Sequence, residues 1–464
     1  MNARVIQLTA PEPEPEEENE EYYLRNDAGR ARRFVDRYRD EIRYVPKFHC
    51  WLLWDEHRWI RDEDGGITRL ALEQARDSVN AANSIKNAAS RALALRAAVI
   101  LGENQVIARM LALAKVDKRI VASHHDLDAD PNLLGVQNGV IDLKTGGFRA
   151  GRKEDMITKS AGCRFIAGTK CPQWLAFLEK VLARDADLVT YLQKFVGYAL
   201  TGDVSEQCFL FLFGSGKNGK SVFAEILHAL MGEYGQRAPS ALLTACVHGR
   251  EPHNEIARLH GARLVIGSET EEGARLAESR VKDLTGGDTL TGRRLYEEAF
   301  EFKPVLKLLI FGNHKPAIRG TDEGIWRRVR LVPFTVQIPE AERDRQLPAK
   351  LAAELSGILN WAIAGCLAWR AEGLKAPARI VQASEDYQTE EDTLGDFIES
   401  ELEFEEGQKV SVSELFEKYT DWAKRTGQAY PMNQQKLSRR LNERPQFERV
   451  KSNGQAFWNG VSLK

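Results

Sequence analysis

Residues 214–221 read Gly214-Ser215-Gly216-Lys217-Asn218-Gly219-Lys220-Ser221 and fill the spacing G-x-x-x-x-G-K-[ST]. In that spacing the glycines let backbone N–H groups close round a phosphate, the lysine reaches the outer phosphates and the serine hydroxyl meets a Mg²⁺ ion. The flanks supply what such a loop needs. Residues 208–213 form an apolar run of strand length, as in a parallel strand buried on both faces. After the loop, Val222, Phe223, Ile226, Leu227 and Leu230 recur at helical spacing, which predicts a helix over 222–231 with its positive N-terminal end at the phosphate site.

A nucleotide hydrolase also needs a carboxylate at the end of a neighbouring strand, to hold hydrated Mg²⁺ and polarise the attacking water. The run Leu264-Val265-Ile266, followed by residues 267–271, makes Glu269 the candidate. A third apolar run over 305–311 ends in Gly312-Asn313-His314. Asn313 there is either an amide poised over water and γ-phosphate or an ordinary turn residue before Pro316. Between these two strands, the runs ending in Arg293-Arg294-Leu295-Tyr296 and starting at Phe300 alternate like a β-hairpin with basic and aromatic residues near its tip. Lys282, Arg293, Arg294, Tyr296 and Lys303 are thus candidate grips on a nucleic-acid backbone. Arg327 and Arg328 are either surface charge or an arginine finger aimed at a neighbouring subunit's γ-phosphate.

The elements that must position these groups belong to a chain of 464 residues, too long for a single core. Charged residues make up 28% and the formal net charge is −2, so nucleic-acid binding must come from local patches. The six cysteines form no C-x-x-C pair, which fits unpaired thiols in a reducing cytoplasm and predicts no structural metal. No apolar stretch approaches the roughly eighteen residues of a membrane span, and the N-terminus lacks the layout of a signal peptide. The expected location is the cytoplasm of the host cell, with no membrane partner.

Residues 1–25 contain the acidic, proline-broken run PEPEPEEENEE and read as a disordered tail. An α+β segment is expected over 26–167: an arginine-rich helix over 28–42, an aromatic hairpin joining Trp51-Leu52-Leu53-Trp54 to Trp59, and helices over 70–116 broken near Gly102. The acidic stretch His125 to Asp130 reads as a loop, not as a metal-holding strand. Helices over 173–182 and 186–200 lead into the phosphate-loop strand. Residues 344–370 read as packing helices. From Glu390 to Glu406 there are nine acidic residues and no Lys or Arg, a compositional boundary. Beyond it, helices over 412–425 and 433–442 and two strands over 447–450 and 457–463 are expected. Residues 431–464 carry seven Lys or Arg against two Glu, with Lys436, Arg439 and Arg440 on the second helix. That is the layout of a winged-helix DNA reader, or of a basic domain that docks on protein.

The run from Glu255 to Phe334, with KDLTGGDTLTGRRLYEEAFEFKP, LLIFGNHKP and GIWRRVRLVPF, resembles superfamily 3 helicases, and more narrowly the helicase part of the phage/plasmid and poxvirus-type primase-helicases. LLGVQNGVIDLKTG and YLQKFVGYALTG resemble the family's segments ahead of the phosphate loop. The resemblance implies an α/β fold: a P-loop, AAA+-like parallel-sheet ATPase core over 168–375, an N-terminal α+β domain over 26–167 and a small winged-helix domain over 390–464. It assigns 214–221 to ATP, Glu269 to the second acidic motif, Asn313 to the sensor, 282–303 to the DNA-tracking hairpin, and Arg327 or Arg328 to the finger. Ser221 and Glu269 would hold Mg²⁺. This chain departs from the pattern in having Ser268-Glu269 where many nucleotide hydrolases have Asp-Glu, so that Ser268 through water, or Glu271, are alternative ligands. No acidic pair for a primase domain is present ahead of the helicase part, and whether a separate primase is recruited stays open.

The implied activity is that of an ATP-dependent DNA helicase of a phage, plasmid or mobile element. It would form a ring, hexameric by resemblance, and act on single-stranded and forked DNA during replication. Two competitors stand: an initiator or loader that spends ATP on assembly without processive unwinding, and a small-molecule kinase or regulatory ATPase indifferent to DNA.

Overall fold

The computed structural model describes residues 26–244, 253–268, 275–293, 298–318, 323–427, 431–442, 444, 446–452 and 455–464. Glu269, Glu271, Arg294, Tyr296 and the acidic tail over 1–25 lie outside the described residues. The chain divides into two compact units, Met1–Asp142 with Gly147–Phe165, and Leu143–Gly146 with Ile166–Lys464.

In the first unit, Asn26 caps helix α1 (Asp27–Tyr38) by accepting from the Gly29 N–H at 2.8 Å. The helix stops short of the expected Ile42, which instead opens strand β1 (Ile42–Val45). The run Ile42-Arg43-Tyr44-Val45 is β-branched and aromatic, and buries Ile42, Tyr44 and Val45 in a sheet. β1 pairs antiparallel with β2 (Cys50–Trp54), and β2 with β3 (Trp59–Arg61), so that Trp54 sits opposite Trp59 as the hairpin reading requires. The arginines of α1 are largely spoken for by carboxylates: Arg30 by Asp27 at 2.9 Å and Arg37 by Asp77 at 2.5 Å. The helical stretch after β3 is three helices, α2 (Gly66–Asn83), α3 (Ala88–Leu101) and α4 (Asn104–Ala114). It has one break more than expected, where Asn87 caps α3 by accepting from Ser90 N–H at 3.0 Å. Residues 124–128 form turns, and the Asp128 carboxylate accepts the Thr158 N–H at 2.8 Å and the Thr158 hydroxyl. Through Asp128 the acidic stretch is stapled to the segment at Thr158. A second three-stranded sheet, β4 (Leu133–Val136), β5 (Gly139–Asp142) and β6 (Gly147–Arg149), completes the unit's strands in the order β4-β5-β6.

The second unit opens with α5 (Pro172–Val181) and α6 (Ala186–Leu200), then β7 (Phe209–Phe213) and α7 (Lys220–Met231). β8 (Gly235–Ala238), α8 (Ser240–Leu243), α9 (His253–Arg258), β9 (Leu264–Ser268) and α10 (Glu278–Gly286) follow. Next come a hairpin of β10 (Leu290–Arg293) and β11 (Ala299–Phe302), then β12 (Lys307–Gly312), α11 (Glu323–Trp326) and β13 (Val329–Pro333). Five of these strands form one all-parallel sheet in the order β13-β7-β12-β9-β8. The mixed α/β class and the parallel core are as expected. β8 and β13 are additions: β8 is a short edge strand of Gly-Gln-Arg-Ala, and in β13 the polar Arg330 interrupts the apolar run that marks a buried strand.

Helices α12 (Leu347–Ala352) and α13 (Leu355–Glu372) pack on the core, and α13 lies along α6. Their crossing is set by two glycines. A Cβ on Gly197 of α6 would stand 2.0 Å from Cys366 N, and one on Gly365 of α13 would stand 2.1 Å from Gln193 O. Trp174 of α5 fills the space behind the phosphate loop, its ring 5.5 Å from Phe223 of α7 and 5.7 Å from Trp361 of α13.

At the sheet end where β12 begins, two buried cations satisfy carbonyls at the C-terminus of α6, the end of a helix where positive charge is favoured. Arg263 donates to Leu200 O at 2.6 Å, and Lys307 to Asp203 O at 3.0 Å, Val305 O at 3.2 Å and Thr201 O. Burial pushes the Lys307 ammonium well below the ordinary lysine range, while these three carbonyls and the Tyr198 ring 4.8 Å away favour its charge.

After β13 the chain runs through α14 (Ala378–Glu390) to α15 (Thr393–Glu401), β14 (Leu402–Ser411), α16 (Val412–Arg425), α17 (Gln434–Asn442), β15 (Glu448–Ser452) and β16 (Gln455–Leu463). The three strands form an antiparallel sheet in the order β14-β16-β15 over a core that includes Phe397, Leu415, Trp422, Leu437 and Trp458. α15 and β14 were not expected, because the acidic run that carries them reads as a boundary; their buried faces are Leu394, Phe397, Leu402 and Val410.

Alanine in place of glycine ordinarily strengthens a helix by up to about 1 kcal/mol. At Gly197 and Gly365 the sign should reverse: Gly197→Ala and Gly365→Ala are each expected to cost about 1–3 kcal/mol by overpacking, read as a lowered midpoint in urea unfolding. An unchanged or raised midpoint would show that α6 and α13 do not approach this closely.

Candidate nucleotide site

The sheet order makes β7 and β12 direct neighbours, with Gly312 in register with Phe213. The loop after β7 and the residues after β12 therefore open into the same crevice at the carboxyl ends of the strands, where open parallel sheets bind ligands. β9 ends there as well, since Ser268 is in register with Phe311. Glu269 is the next residue in the chain and lies outside the described residues.

The loop is bent by left-handed residues: Gly216 at φ +94°, Lys217 at +57° and Gly219 at +86°. Backbone of this kind turns successive N–H groups inward into an anion-binding nest. Two glycines are further required by close approach. A Cβ on Gly214 would come within 2.3 Å of both Asn218 Nδ2 and Phe334 O, and one on Gly219 would stand 2.7 Å from Val181 Cγ1 of α5. Asn218 is 2% exposed and donates from Nδ2 to Phe334 O at 2.9 Å, which ties the loop to the chain leaving β13. The same segment reaches further along the loop, with Gln337 Nε2 donating to Ser215 Oγ at 2.9 Å and Ile338 N–H to Lys217 O at 3.0 Å.

Lys220, the first residue of α7, is 4% exposed. Its ammonium donates to Gly214 O at 2.8 Å, Asn218 Oδ1 at 2.9 Å and Asn313 Oδ1 at 3.2 Å. The loop lysine and the amide beyond β12 are thus in direct contact across the crevice. Ser221 follows on the exposed side of the first turn of α7. A nest, a helix N-terminus, a buried ammonium and a nearby side-chain amide are together a donor set suited to a polyphosphate.

The two arginines separate. Arg328 is 7% exposed, and donates from Nε to Thr285 Oγ1 at 3.1 Å and from Nη1 to Gly324 O at 2.6 Å. Arg327 is exposed and donates to Gln207 Oε1 at 3.2 Å. Phe209 N–H bonds to Arg328 O, so both arginines lie where β7 begins, a strand length or about 16 Å from the loop at its other end. Neither reaches the crevice of its own chain.

Among the expected nucleic-acid contacts, Arg293 is exposed at the end of β10 and Lys303 is exposed just after β11, while Arg294 and Tyr296 lie outside the described residues. The hairpin is seated by its other face: Phe300 and Phe302 pack edge-on against His260, and Gly292 leaves room for the α9 backbone at Ala257. Lys282 is not on this hairpin but on α10. In the C-terminal part, α17 buries Leu437, Ser438 and Leu441, leaving exposed Arg439 and half-buried Lys436 and Arg440 on its outer side. Sequence reasoning missed the segment 334–338 that straps the loop; its only signal is the apolar Val332 and Phe334 after the arginines.

Residues 31–183 match the family described as D5 N terminal like, residues 212–328 a family of unknown function (DUF5906), and residues 389–456 the family described as Poxvirus D5 protein-like. Among curated proteins, the chain is similar to "Putative helicase L207/L206" of Acanthamoeba polyphaga mimivirus, 29% identical over 64% of this chain and 34% of that protein. It is also similar to "Putative helicase 121R" of Invertebrate iridescent virus 3, 26% identical over 47% of this chain and 25% of that protein. A third relative is "Putative primase C962R" of African swine fever virus (strain Badajoz 1971 Vero-adapted), 26% identical over 44% of this chain and 22% of that protein. The chain thus spans about a third or less of the length of these relatives. In fold it is similar to the apo structure of the NrS-1 C terminal region (305-718), with a TM-score of 0.51 and 11% identity over 94% of this chain and 100% of that one.

The different settings of the two arginines are open to a direct check. Arg328→Ala should lower unfolding stability by about 1–3 kcal/mol by removing the buried guanidinium with its bonds to Thr285 Oγ1 and Gly324 O, whereas Arg327→Ala should stay within about 0.5 kcal/mol of the parent. Equal losses in urea unfolding would contradict this assignment.

Proposed function

We propose that the chain is a D5-type primase-helicase family member and, from that premise, an ATP-dependent DNA helicase of a viral or mobile element, assembling into a ring that translocates on one strand to unwind DNA for replication. The observation that carries the reading is the contact of the Lys220 ammonium with Asn313 Oδ1 at 3.2 Å. It sets the phosphate-loop cation beside the one side-chain amide expected to sense the γ-phosphate, at the switch point of a parallel sheet. We read that sheet as an AAA+-like core and the three helices and three strands after α14 as a winged helix with α17 as its reading helix.

In this reading residues 214–221 bind ATP. The backbone N–H groups of the nest and the N-terminus of α7 hold the inner phosphates, and Lys220 moves from its oxygen partners to the outer phosphates. Asn313 then orients the attacking water. Ser221 and Glu269 are the residues proposed to hold a Mg²⁺ ion, with Ser268 through water or Glu271 as alternatives, and such an ion would supply positive charge against that of the phosphates.

The exposed Arg327, about 16 Å from its own loop, is the residue proposed to act as an arginine finger on a neighbouring subunit, which is what makes a ring, taken as a hexamer, the working assembly. Arg328 is proposed to support it from below through Thr285. The hairpin of β10 and β11, with Arg293, Arg294, Tyr296 and Lys303, is proposed to hold the DNA strand, with Lys436, Arg439 and Arg440 placing the ring on DNA.

The test is ATP hydrolysis with and without single-stranded DNA, beside displacement of a labelled strand from a forked duplex. Stimulation together with displacement is expected. Lys220→Ala should abolish hydrolysis, and Arg327→Ala should keep nucleotide affinity while turnover falls by about a thousandfold. Full turnover in Arg327→Ala would remove the finger in trans. Hydrolysis without displacement would favour an initiator or loader, and hydrolysis indifferent to DNA would sink both DNA readings.

A further inference from the structure

The acidic run beginning at Glu390 marks a change of composition, and in the fold its first three residues all make contacts that run between the nucleotide crevice and the C-terminal basic module. Glu390 lies at the end of α14 and takes the Lys315 ammonium at 2.5 Å. Lys315 is two residues beyond Asn313, and its side chain is only 16% exposed, with the ammonium 5.0 Å from the Phe213 ring and 5.2 Å from the Tyr387 ring. Phe213 is the residue immediately before the phosphate loop. Glu391 accepts the Ile318 N–H at 3.1 Å, and the Tyr387 hydroxyl donates to Pro316 O. The chain leaving Asn313 is therefore gripped at residues 315, 316 and 318 by one short stretch of α14 and its end.

The next residue faces the other way. Asp392 takes Arg444 in a two-oxygen pairing at 2.6 and 2.5 Å, and Arg444 follows α17, where its carbonyl accepts the Phe447 N–H. α14 is itself fixed to the sheet, because Ser384 Oγ accepts the Leu331 N–H of β13 at 3.1 Å and Tyr387 packs edge-on against Trp326. Glu390 is 60% exposed, so its ion pair alone contributes little. The Glu391 and Asp392 contacts are charge-assisted and more sheltered, and they lie on adjacent residues with no slack between them.

We propose that Glu390-Glu391-Asp392 is a relay through which DNA held on the α17 module sets the position of the Asn313 loop, so that nucleotide binding and DNA binding are coupled within one chain. The proposal rests on the reading of the crevice as an ATP site and of the α17 module as a DNA contact. Coupling of this kind is reciprocal: whatever factor the nucleotide applies to DNA affinity, DNA applies to nucleotide affinity.

The test uses the full chain, a labelled forked duplex and a non-hydrolysable ATP analogue, with no turnover required. In the parent, the analogue should change affinity for the fork by about fivefold or more, and the fork should change affinity for the analogue by the same factor. In Glu391→Gln/Asp392→Asn each affinity measured alone should stay within about twofold, while the coupling factor falls below about twofold. Asp392→Asn alone, a milder change, should lower the coupling partway and guards against loss of fold in the double variant. A coupling factor unchanged in both variants overturns the relay, as does a parent whose fork affinity is indifferent to the nucleotide. Strand displacement by the parent is scored separately, so that coupling without displacement would retain the relay and sink the motor, and displacement with unaltered coupling in the variants would do the reverse.

Discussion

The crevice is organised by what satisfies one buried ammonium. Taking a lysine side chain to 4% exposure forfeits its hydration, a loss of several kcal/mol unless oxygens replace the water. Among the described residues Lys220 obtains three, from Gly214 at the start of the loop, Asn218 inside it and Asn313 on the neighbouring strand's extension. Those partners come from separate pieces of chain, so the lysine draws the loop and the Asn313 segment together. These three are neutral oxygens, and a phosphate oxygen carrying full charge makes a stronger bond to an ammonium than any one of them, so the cation that organises the loop is also the one a polyphosphate would recruit.

That arrangement depends on strand order more than on loop sequence. Asn313 is within reach only because β12 inserts beside β7, with Leu308 to Gly312 in register with Phe209 to Phe213. The opposite end of the sheet is clamped by the Arg263 and Lys307 cations on the carbonyls that close α6, and α6 is held to α13 by a glycine crossing with no room for a methyl group. Constraint at both ends leaves the strands little freedom to slide, and register is what keeps Lys220 and Asn313 within hydrogen-bond distance.

The sequence revealed local chemistry and hid long-range geometry. The phosphate loop, its strand and its helix were legible because every requirement falls within about two dozen contiguous residues. α6 and α16 have the expected extents, 186–200 and 412–425, and Ser411 with Glu414 forms a capping box that fixes the start of α16. β8 escaped notice because an edge strand need not be apolar, and β13 because Arg330 snorkels out of an otherwise buried run. The Asn218 bond to Phe334, the Gln337 bond to Ser215 and the burial of Arg328 under Thr285 join residues tens to more than a hundred positions apart, and no local pattern encodes them. Composition also said too little at Glu390 to Glu406, where an acidic run read only as a boundary carries a helix, a strand and tertiary contacts from Glu390, Glu391, Asp392 and Glu401.

The two adjacent arginines show how a single residue step divides structure from function. At the turn from α11 into β13, successive side chains leave the backbone on different sides, so one guanidinium is taken into the core and its neighbour is left at the surface. The buried one bonds a threonine hydroxyl and a backbone carbonyl, and its loss is felt as instability. The exposed one makes a single long bond to Gln207 at the far end of β7 from the phosphate loop. A cation held there on a stiff strand cannot serve the crevice of its own chain, because β7 is itself the distance between them. Under the proposed reading β13 is therefore a lever with a finger at its start and, at its end, Phe334 bonded to Asn218 of its own phosphate loop. Movement of the finger on a neighbour's nucleotide would be felt at the loop behind it, which is the mechanical connection a ring needs to fire its sites in sequence.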